Sequence, residues 1–471
     1  MAKDGRLVVV SNRVPSLSTP ATDEEQRTLP VGGLVSSLRS ALEHRRSIWL
    51  GWSGGTSEHT DSAKPEISDI GGVRLASMDL TRYDVDLFYN LFSNRTLWPL
   101  LHSFPDKTTI RHDSYQAYRR VNVKFAETLL SFLEKDDLVW VHDYHLIPLG
   151  HELRRMGWSG KVGFFLHIPF PAPDIFTVLP WAEELLELLF AYDLVGLQTN
   201  RYVRNLSDAI SELLGREGGA DGLTLGGRSL RVHPYPVGID PEFFQAMARE
   251  ARPSGVSRFL RQMASEHRII LGVDRLDYTK GIAQRMLAFE RLLERYPSLR
   301  GDVTLIQISV PTRSRVPEYM QEREEVDRLV GRINGRFSEA DWMPIHPLYR
   351  SYSQSELAAF YREADVCLVT PLRDGMNLVA KEFIASQVDS PGVLVLSKFC
   401  GAAETMKEAL IVNPYDVQGM ATAIYTALNM PKKERLRRWE ALYQGISSYT
   451  AQDWCDSFLR DLAPEPVTAV P

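Results

Sequence analysis

Short apolar runs that alternate with longer amphipathic segments constrain the fold of this chain more than any other feature. Eight runs of four to six residues, rich in Val, Ile and Leu, are each followed by a polar or glycine-containing loop. Such runs are typical of strands buried on both faces of a parallel sheet. Their alternation with helical segments predicts an α/β protein. The eight predicted strands are residues 7–10, 138–142, 162–167, 194–197, 269–273, 303–308, 366–369 and 393–396.

A break near the middle of the chain predicts two domains, a number that a length of 471 residues allows. Residues 233–241 contain three prolines and one glycine, and they follow a polar, glycine-rich stretch at 215–227. A new strand–helix series begins at Ile269. We predict that residues 1–238 and 239–471 form two Rossmann-like domains and that the last helix packs back on the first domain.

Charge and cysteine content exclude several classes of protein. The net charge of −6 argues against a partner that is a nucleic acid or an anionic membrane. Cys367, Cys400 and Cys455 show no paired spacing, so we predict neither a disulfide framework nor a zinc site. Free cysteines fit the reducing cytoplasm. The apolar runs are far shorter than the roughly 20 residues of a membrane helix. We therefore predict a cytoplasmic protein.

Unusual polar residues follow the predicted strands at their carboxyl ends. In open α/β sheets, ligands bind beyond these ends. One such residue means little, but loops of this kind recur in both halves, which predicts a binding cleft between them. The residues are Arg13, His142, Asp143, His167, Arg275, Lys280, Arg313, Arg373 and Asp374.

Two segments indicate anion binding, each with a simpler alternative. Gly32 and Gly33 precede a helical pattern and would let a ligand approach backbone N–H groups, although an ordinary loop explains them equally well. Arg275 and Lys280 place two cations beside a helix start. This arrangement suits a diphosphate, and the alternative is a pair of solvated surface cations.

Residues 373–382 are the most specific segment. The Gly-Met-Asn at 375–377 would open a helix with bare amides that can cradle phosphate oxygens. Asp374 can accept from hydroxyls, and Glu382, about two turns along the predicted helix, can reach a sugar diol. The alternative, an N-cap aspartate with an ordinary helix glutamate, leaves Gly-Met-Asn unexplained.

A metal site built from His142, Asp143, His145 and His167 is disfavoured, because positions i, i+1 and i+3 after a strand do not converge well on one ion. A pocket that binds hydroxyl groups is the better interpretation. The chain lacks the H-E-x-x-H and Walker A motifs. It also lacks G-x-G-x-x-G after the first strand, which disfavours a nicotinamide-dependent dehydrogenase.

Nine motifs occur in an order shared with a known family. They are Ser-Asn-Arg (11–13), Gly-Gly (32–33), Trp-Leu-Gly-Trp-Ser-Gly (49–54), Phe-Tyr-Asn…Phe-Ser-Asn…Leu-Trp-Pro (88–99), Trp-Val-His-Asp-Tyr-His-Leu (140–146), Gly-Phe-Phe-Leu-His-Ile-Pro-Phe-Pro (163–171), Val-Asp-Arg-Leu-Asp-Tyr-Thr-Lys-Gly (273–281), Gly-Arg-Ile-Asn-Gly (331–335) and Thr-Pro-Leu-Arg-Asp-Gly-Met-Asn-Leu-Val-Ala-Lys-Glu (370–382). With them the chain resembles the trehalose-6-phosphate synthases from about residue 6 to about residue 460.

The resemblance implies the GT-B fold, in which two Rossmann-like halves face a cleft. It implies transfer of glucose from UDP- or GDP-glucose to glucose 6-phosphate, with retention at the anomeric carbon and without a metal or cofactor. The product would be α,α-trehalose 6-phosphate. Residues 1–238 would mainly bind the acceptor and residues 239–471 the donor. The resemblance also implies a homo-oligomer, either a dimer or a tetramer.

The resemblance assigns roles to single residues. Arg275 and Lys280 would neutralise the diphosphate, and Glu382 would bind the ribose diol. The donor would be bound by Gly33, Arg275, Lys280, Gly375, Met376, Asn377, Leu378, Val379 and Glu382. The acceptor would be bound by Arg13, Tyr89, Trp98, Asp143 and Arg313. The catalytic residues would be Asp143, His167, Arg275, Lys280 and Asp374.

Two positions depart from the family pattern. Residues 99–105 read Pro-Leu-Leu-His-Ser-Phe-Pro, and Tyr115 stands where the synthases usually have Trp. The first stretch is more similar to the glucosylglycerol-phosphate synthases, whose acceptor is glycerol 3-phosphate, whereas residues 11–13 and 89–90 favour glucose 6-phosphate. Glycerol 3-phosphate therefore stays the alternative acceptor. A non-catalytic relative is disfavoured because the cation pair and residues 374–377 are both present.

Overall fold

The computed structural model describes residues 5–14, 38, 45–58, 65–70, 73–216, 223–250, 255–313, 316–388 and 390–464. These residues form two compact units. One contains the described residues up to Pro236 together with residues 452–464, and the other contains Val237–Ala451. Each unit is built on one twisted sheet of mainly parallel strands. The predicted α/β class with two Rossmann-like parallel-sheet halves is confirmed.

The sheet of the first unit has nine strands in the order β3-β4-β2-β1-β5-β6-β7-β9-β8. Neighbours are parallel except for the antiparallel pairs β3–β4 and β8–β9. The strand order reverses between β1 and β5. The strands are β1 (Leu7–Arg13), β2 (Ser47–Ser57), β3 (Glu66–Ile70), β4 (Val73–Thr81), β5 (Leu138–His142), β6 (Val162–Phe165), β7 (Leu194–Leu197), β8 (Leu223–Leu225) and β9 (Arg228–Pro234).

Helices pack against this sheet through apolar stripes. In α7, for example, Leu206, Ala209 and Ile210 are buried, and the Thr199 hydroxyl caps the first turn by accepting from the Tyr202 N–H. The helices are α1 (Arg82–Asp84), a π-helical segment (Val85–Leu97), α2 (Trp98–Leu101), α3 (His112–Leu130), α4 (Leu149–Arg155), α5 (Pro173–Phe176), α6 (Ala182–Leu189) and α7 (Asn200–Leu214).

The sheet of the second unit has six strands, all parallel, in the order β12-β11-β10-β13-β14-β15. Numbered within this unit, the order is 3-2-1-4-5-6, which is that of the Rossmann fold, and it reverses between β10 and β13. The strands are β10 (Arg268–Arg275), β11 (Val303–Val310), β12 (Ile345–Leu348), β13 (Val366–Val369), β14 (Val393–Ser397) and β15 (Leu410–Val412).

Both faces of this second sheet are buried. Ile269 and Leu271 of β10 belong to one apolar cluster and Ile270 to another, as the alternation of side chains along a strand requires. The helices that cover the sheet are α8 (Pro241–Arg249), α9 (Gly255–Glu266), α10 (Ile282–Arg295), α11 (Pro317–Phe337), α12 (Gln354–Glu363), α13 (Leu378–Ala385), α14 (Val417–Leu428) and α15 (Lys432–Ser447).

The last helix, α16 (Ala451–Leu462), packs on the sheet of the first unit. Trp454 and Phe458 are buried, with ring centroids 5.0 and 4.5 Å from Trp140 on β5. The Tyr235 hydroxyl donates to an Asp461 carboxylate oxygen at 2.6 Å. Trp140, Phe165, Trp454 and Phe458 together form an aromatic layer that packs on β5 and β6.

All eight predicted strands are present, and residues 138–142, 194–197 and 366–369 have the predicted bounds. The strand predicted at 162–167 ends at Phe165, so His167 lies in the loop after it. Seven strands were missed, among them β2, whose glycines conceal its pattern. Gly51 is required there, because a Cβ would lie 2.6 Å from the backbone nitrogen of Val14.

Candidate active site

In the first unit, polar residues predicted from sequence meet beyond the carboxyl ends of the neighbouring strands β5 and β6. Asp143 directly follows β5, and its backbone N–H donates to the Phe165 carbonyl at the end of β6. The Asp143 Oδ1 accepts from the His167 N–H at 3.3 Å. Asp143 has a φ of 75°, a value that non-glycine residues rarely adopt and that clusters at functional sites. Asp143 and His167 are therefore neighbours, as a pocket for hydroxyl groups needs.

A second histidine, His142, supports His167. His142 Nδ1 lies 3.0 Å from His167 Nε2, and the His142 side chain is buried while His167 is partly exposed. Burial lowers the pKa of His167 to about 3. Burial also lowers the pKa of His142 well below its ordinary value, and the neighbouring His167 adds a smaller effect in the same direction. Both rings are thus neutral at pH 7. His142 had been considered as a residue at a strand end and as a disfavoured metal ligand, and it had not been assigned to the site.

Two predicted acceptor residues of this unit, Arg13 and Tyr89, are linked by a chain of aromatic contacts. The Arg13 guanidinium lies 5.6 Å from the centre of the Trp52 ring, and Trp52 meets Tyr89 edge to face at 5.5 Å. Tyr89 stacks on His145 at 5.9 Å. Tyr89 lies in the π-helical segment, a form of helix that occurs often at functional sites. Trp52 was missed as a site residue, although its motif at 49–54 was recognised.

Trp98, by contrast, is largely buried. Only 4% of it is exposed, and its ring lies 4.1 Å from His102 and 5.7 Å from Tyr144. Gly33, the remaining predicted residue of this half, lies outside the described residues.

In the second unit, paired charges lie where the strand order reverses. Lys280 follows β10 and Asp374 follows β13, the two strands between which the order reverses. The Lys280 ammonium lies 2.6 Å from Asp374 Oδ2. Asp374 also accepts from the Gly375 N–H at 2.9 Å and from the Asn377 side-chain amide at 3.0 Å. Two predicted catalytic residues are therefore an ion pair.

The start of α13 has the features of an anion site. Asn377 has a φ of 67°, and the helix begins without a side-chain cap on its first amides. The Asn377 Oδ1 is also buried without a hydrogen-bond partner among the described residues, but as an acceptor it suits a ligand hydroxyl and not an anion. Gly401 packs against this turn so closely that a Cβ would overlap the Gly375 carbonyl oxygen. Because the Gly375 N–H already bonds to Asp374, fewer amides are open than the sequence predicted.

Glu382 lies just over one turn into α13. The predicted two turns are wrong, because the helix begins at Leu378 and the Gly-Met-Asn stretch is an irregular turn before it. A Glu382 carboxylate oxygen accepts from the Tyr361 hydroxyl at 2.9 Å, and burial raises the pKa of Glu382 to about 7. Leu378 and Val379 are partly buried against the apolar core, and Met376 is buried within it.

A buried carboxylate that was not predicted joins two predicted arginines. Asp277 is fully buried, and its Oδ2 lies 3.9 Å from a guanidinium nitrogen of Arg275 and 3.9 Å from one of Arg313. The Tyr319 hydroxyl donates to the same oxygen at 3.4 Å and accepts a hydrogen bond from Arg313. Burial acts to raise the Asp277 pKa, but the surrounding cations bring this pKa below its ordinary value.

This carboxylate stands inside the recognised motif at 273–281. A second signal is backbone strain, because Arg313 has a φ of 47°. Three of the four non-glycine residues with positive φ in the described part of the chain are Asp143, Arg313 and Asn377, all of which had been predicted as site residues.

The model of glycosyltransferase family 20 matches residues 5–464. The chain belongs to glycosyltransferase family 20. A trehalose-6-phosphate synthase of Sinorhizobium fredii is 42% identical, over 97% of this chain and 98% of the relative. An α,α-trehalose-phosphate synthase (UDP-forming) of Burkholderia xenovorans, solved in complex with glucose-6-phosphate, is 40% identical with a TM-score of 0.91, covering 97% of this chain and 99% of that one.

A structure from Escherichia coli bound with UDP-2-fluoro glucose is 39% identical to this glycosyltransferase, with a TM-score of 0.91. The match covers 98% of this chain and 100% of that one. The predicted resemblance is thus confirmed, and the protein is an enzyme of the glycosyltransferase class. Among the described residues, no group of three or more His, Cys, Asp or Glu side chains could hold a metal ion. Within the same residues, every helix is too short or too polar to cross a membrane.

Proposed function

We propose that this glycosyltransferase moves glucose from UDP-glucose to glucose 6-phosphate and releases α,α-trehalose 6-phosphate. The observation that carries the proposal is the arrangement of Lys280, Asp374 and the uncapped start of α13 where the strand order reverses. The relatives support it, since one was solved with glucose-6-phosphate and another with a UDP-glucose analogue.

Charge stabilisation would drive departure of the nucleotide. The bond between the anomeric carbon and the diphosphate oxygen breaks, and negative charge develops on that oxygen. Arg275, Lys280 and the open amides at the start of α13 would stabilise this charge. An ammonium has three donors, so Lys280 can bond to Asp374 and to a phosphate at once.

Retention needs no enzyme nucleophile in this scheme. The acceptor hydroxyl attacks the anomeric carbon from the face that the diphosphate leaves, and the leaving phosphate oxygen takes the hydroxyl proton. His167 and Asp374 would hold the donor glucose through its hydroxyls, and Asp143 would lie close to both sugars. Rate enhancement would then come from positioning and from charge stabilisation.

We assign the acceptor phosphate to Arg13, Tyr89, Trp98 and Arg313. The departures that suggested glycerol 3-phosphate are packing positions. Tyr115 is buried and stacks on Trp181 at 4.3 Å, and His102 Nδ1 lies 2.8 Å from the Trp98 carbonyl oxygen. They therefore weigh less against glucose 6-phosphate than a change in Arg13 or Tyr89 would.

A matrix of donors and acceptors tests the proposal. UDP-, GDP- and ADP-glucose are each combined with glucose 6-phosphate and with glycerol 3-phosphate, nucleotide release is measured, and the product linkage is identified by NMR. We expect the highest kcat/KM for glucose 6-phosphate and an α,α-1,1 linkage. A faster reaction with glycerol 3-phosphate would show that trehalose 6-phosphate is not the main product. It would not contradict the assignment of the residues that bind the acceptor phosphate.

The oligomeric state and the cellular location stay predictions. A homo-oligomer is testable by light scattering of the purified full-length chain. A cytoplasmic location is testable by fractionation of the producing cells.

A further inference from the structure

The His142–His167 pair has only two possible arrangements of protons. The nitrogens lie 3.0 Å apart, so one donates and the other accepts. A neutral imidazole carries one N–H. If His142 Nδ1 donates, His142 Nε2 is a bare lone pair and the proton of His167 sits on Nδ1. If His167 Nε2 donates, His142 carries its proton on Nε2 and His167 Nδ1 is the lone pair.

The surroundings of His142 decide between the two arrangements. His142 Nε2 is buried and has no hydrogen-bond partner in the part of the chain that the structure describes. The Nε1 atoms of Trp140 and Trp454 are in the same situation, and their rings lie 4.5 and 6.3 Å from the His142 ring. An indole nitrogen can only donate. A proton on His142 Nε2 would thus add a third unpaired donor to a cluster that contains two.

An unpaired buried donor is costly, and orphaned N–H groups are rarer in proteins than under-used acceptors. The arrangement with a bare His142 Nε2 avoids this cost. Both arrangements keep the two rings neutral, as the lowering of their pKa values by burial requires, so the unpaired donor decides between them.

We propose that His142 is a positioning residue that fixes His167 in the Nδ1–H tautomer, so that His167 presents a hydrogen-bond donor to a hydroxyl oxygen of the bound sugar. The His167 backbone N–H bonds to Asp143 Oδ1, and its Nε2 accepts from His142. With these two atoms engaged, Nδ1 is the ring nitrogen left for a ligand. The contact with the donor glucose rests on the proposed function, whereas the tautomer does not.

The tautomer can be measured on the full-length protein without any reaction. Histidine is labelled with ¹⁵N, and long-range ¹H–¹⁵N correlation spectra distinguish protonated from bare ring nitrogens. His167 is assigned from a His167→Asn sample. We expect a protonated Nδ1 and a bare Nε2 in the unmodified protein. A protonated Nε2 on His167 would overturn the proposal, whatever the enzyme transfers.

Two variants of His142 separate positioning from packing. In His142→Asn the side-chain amide stands near the place of Nδ1 and can still donate to His167 Nε2, whereas His142→Leu has similar bulk and no donor. We expect the Asn variant to keep the Nδ1–H tautomer and a kcat within about threefold, and the Leu variant to lose about tenfold in kcat, the scale of one hydrogen bond. The KM for glucose 6-phosphate should stay within about twofold in both.

Phe458→Leu is the matched control, because Phe458 stacks on Trp140 in the same aromatic layer and makes no contact with the hydrogen bond. It should leave the tautomer and kcat unchanged. Equal losses in the Asn and Leu variants would show that His142 acts through packing and would refute the positioning role. If trehalose 6-phosphate proves not to be the product, the spectra still decide the tautomer.

Discussion

The two units place opposite kinds of chemistry beyond the carboxyl ends of their parallel strands. In the first, two neutral histidines and Asp143 lie beyond the ends of β5 and β6. In the second, Lys280, Asp374 and the Asp277 cluster place paired charges there. Sugar hydroxyls need donors and acceptors in fixed positions, whereas phosphates need cations. The comparison shows that the same strand order can support binding of sugar hydroxyls or of phosphates. The residues in the loops after the strands determine which of the two is bound.

Removal of a cation from the second unit should have the largest effect. Lys280→Ala or Arg275→Ala should lower kcat by about 10²–10³, the scale of losing one group that stabilises developing charge. Steady-state kinetics with UDP-glucose measure it. Arg328→Ala, which removes an exposed arginine paired with Glu325 on α11, is the control and should keep full activity. Near-normal turnover in both site variants would end the diphosphate assignment.

Glu382 differs from the other carboxylates of the second unit, because burial raises its pKa and no neighbouring cation among the described residues lowers it. Its pKa is raised in the folded state from 4.5 to about 7, so the native protein binds this proton more tightly than the unfolded chain does. The free energy of unfolding should therefore fall between about pH 4.5 and pH 7, by roughly 3 kcal/mol at most.

Glu382→Gln should remove this part of the pH dependence, because the amide does not titrate. Urea unfolding curves at several pH values measure the difference between the two proteins. Parallel curves for both proteins over that range would show that Glu382 titrates normally.

Arg13 tests the first unit, where we assign the acceptor phosphate. Arg13→Ala should lower kcat/KM for glucose 6-phosphate by about 10–150-fold, because a charge-assisted bond to phosphate is lost. The Kd of UDP, measured by calorimetry, should stay within about twofold. The assignment would be falsified if the variant bound UDP weakly and used glucose 6-phosphate normally.

Tyr319 tests the Asp277 cluster with a smaller change. Tyr319→Phe removes the hydroxyl that links Arg313 to Asp277, and it should raise the KM for glucose 6-phosphate about 3–10-fold. Tyr349→Phe is the matched control, because its hydroxyl donates to Asp327 beside Arg323 on the surface of the same unit. If the two variants behave alike, the cluster does not position Arg313.

The smallest expected effect is that of a chelator. Excess EDTA should leave activity unchanged, because Arg275, Lys280 and the helix amides supply the positive charge that the leaving diphosphate needs. Strict dependence on added Mg²⁺ would show that these protein groups do not supply enough positive charge for the leaving diphosphate.

Local sequence predicted what depends on neighbours in the chain. The strands at 138–142, 194–197 and 366–369 were found with their bounds, because a buried β-branched run specifies its own conformation. Residues at strand ends, such as Asp143 and Lys280, could be predicted for the same reason. The start of α13 was placed too early, because the hydrogen bonds of Asp374 and the left-handed backbone of Asn377 leave no helical periodicity to detect.

Tertiary structure decided which of these residues meet. Lys280 and Asp374 lie 94 positions apart, and their ion pair exists because β10 and β13 are neighbours in the sheet. The same holds for His142 and His167, which adjacent parallel strands bring within hydrogen-bond distance. The sequence by itself determined eight of the strands, the family and most of the residues with the required chemistry. The pairing of their charges and protons was decided by the strand order, because electrostatic partners depend on distance in space and not along the chain.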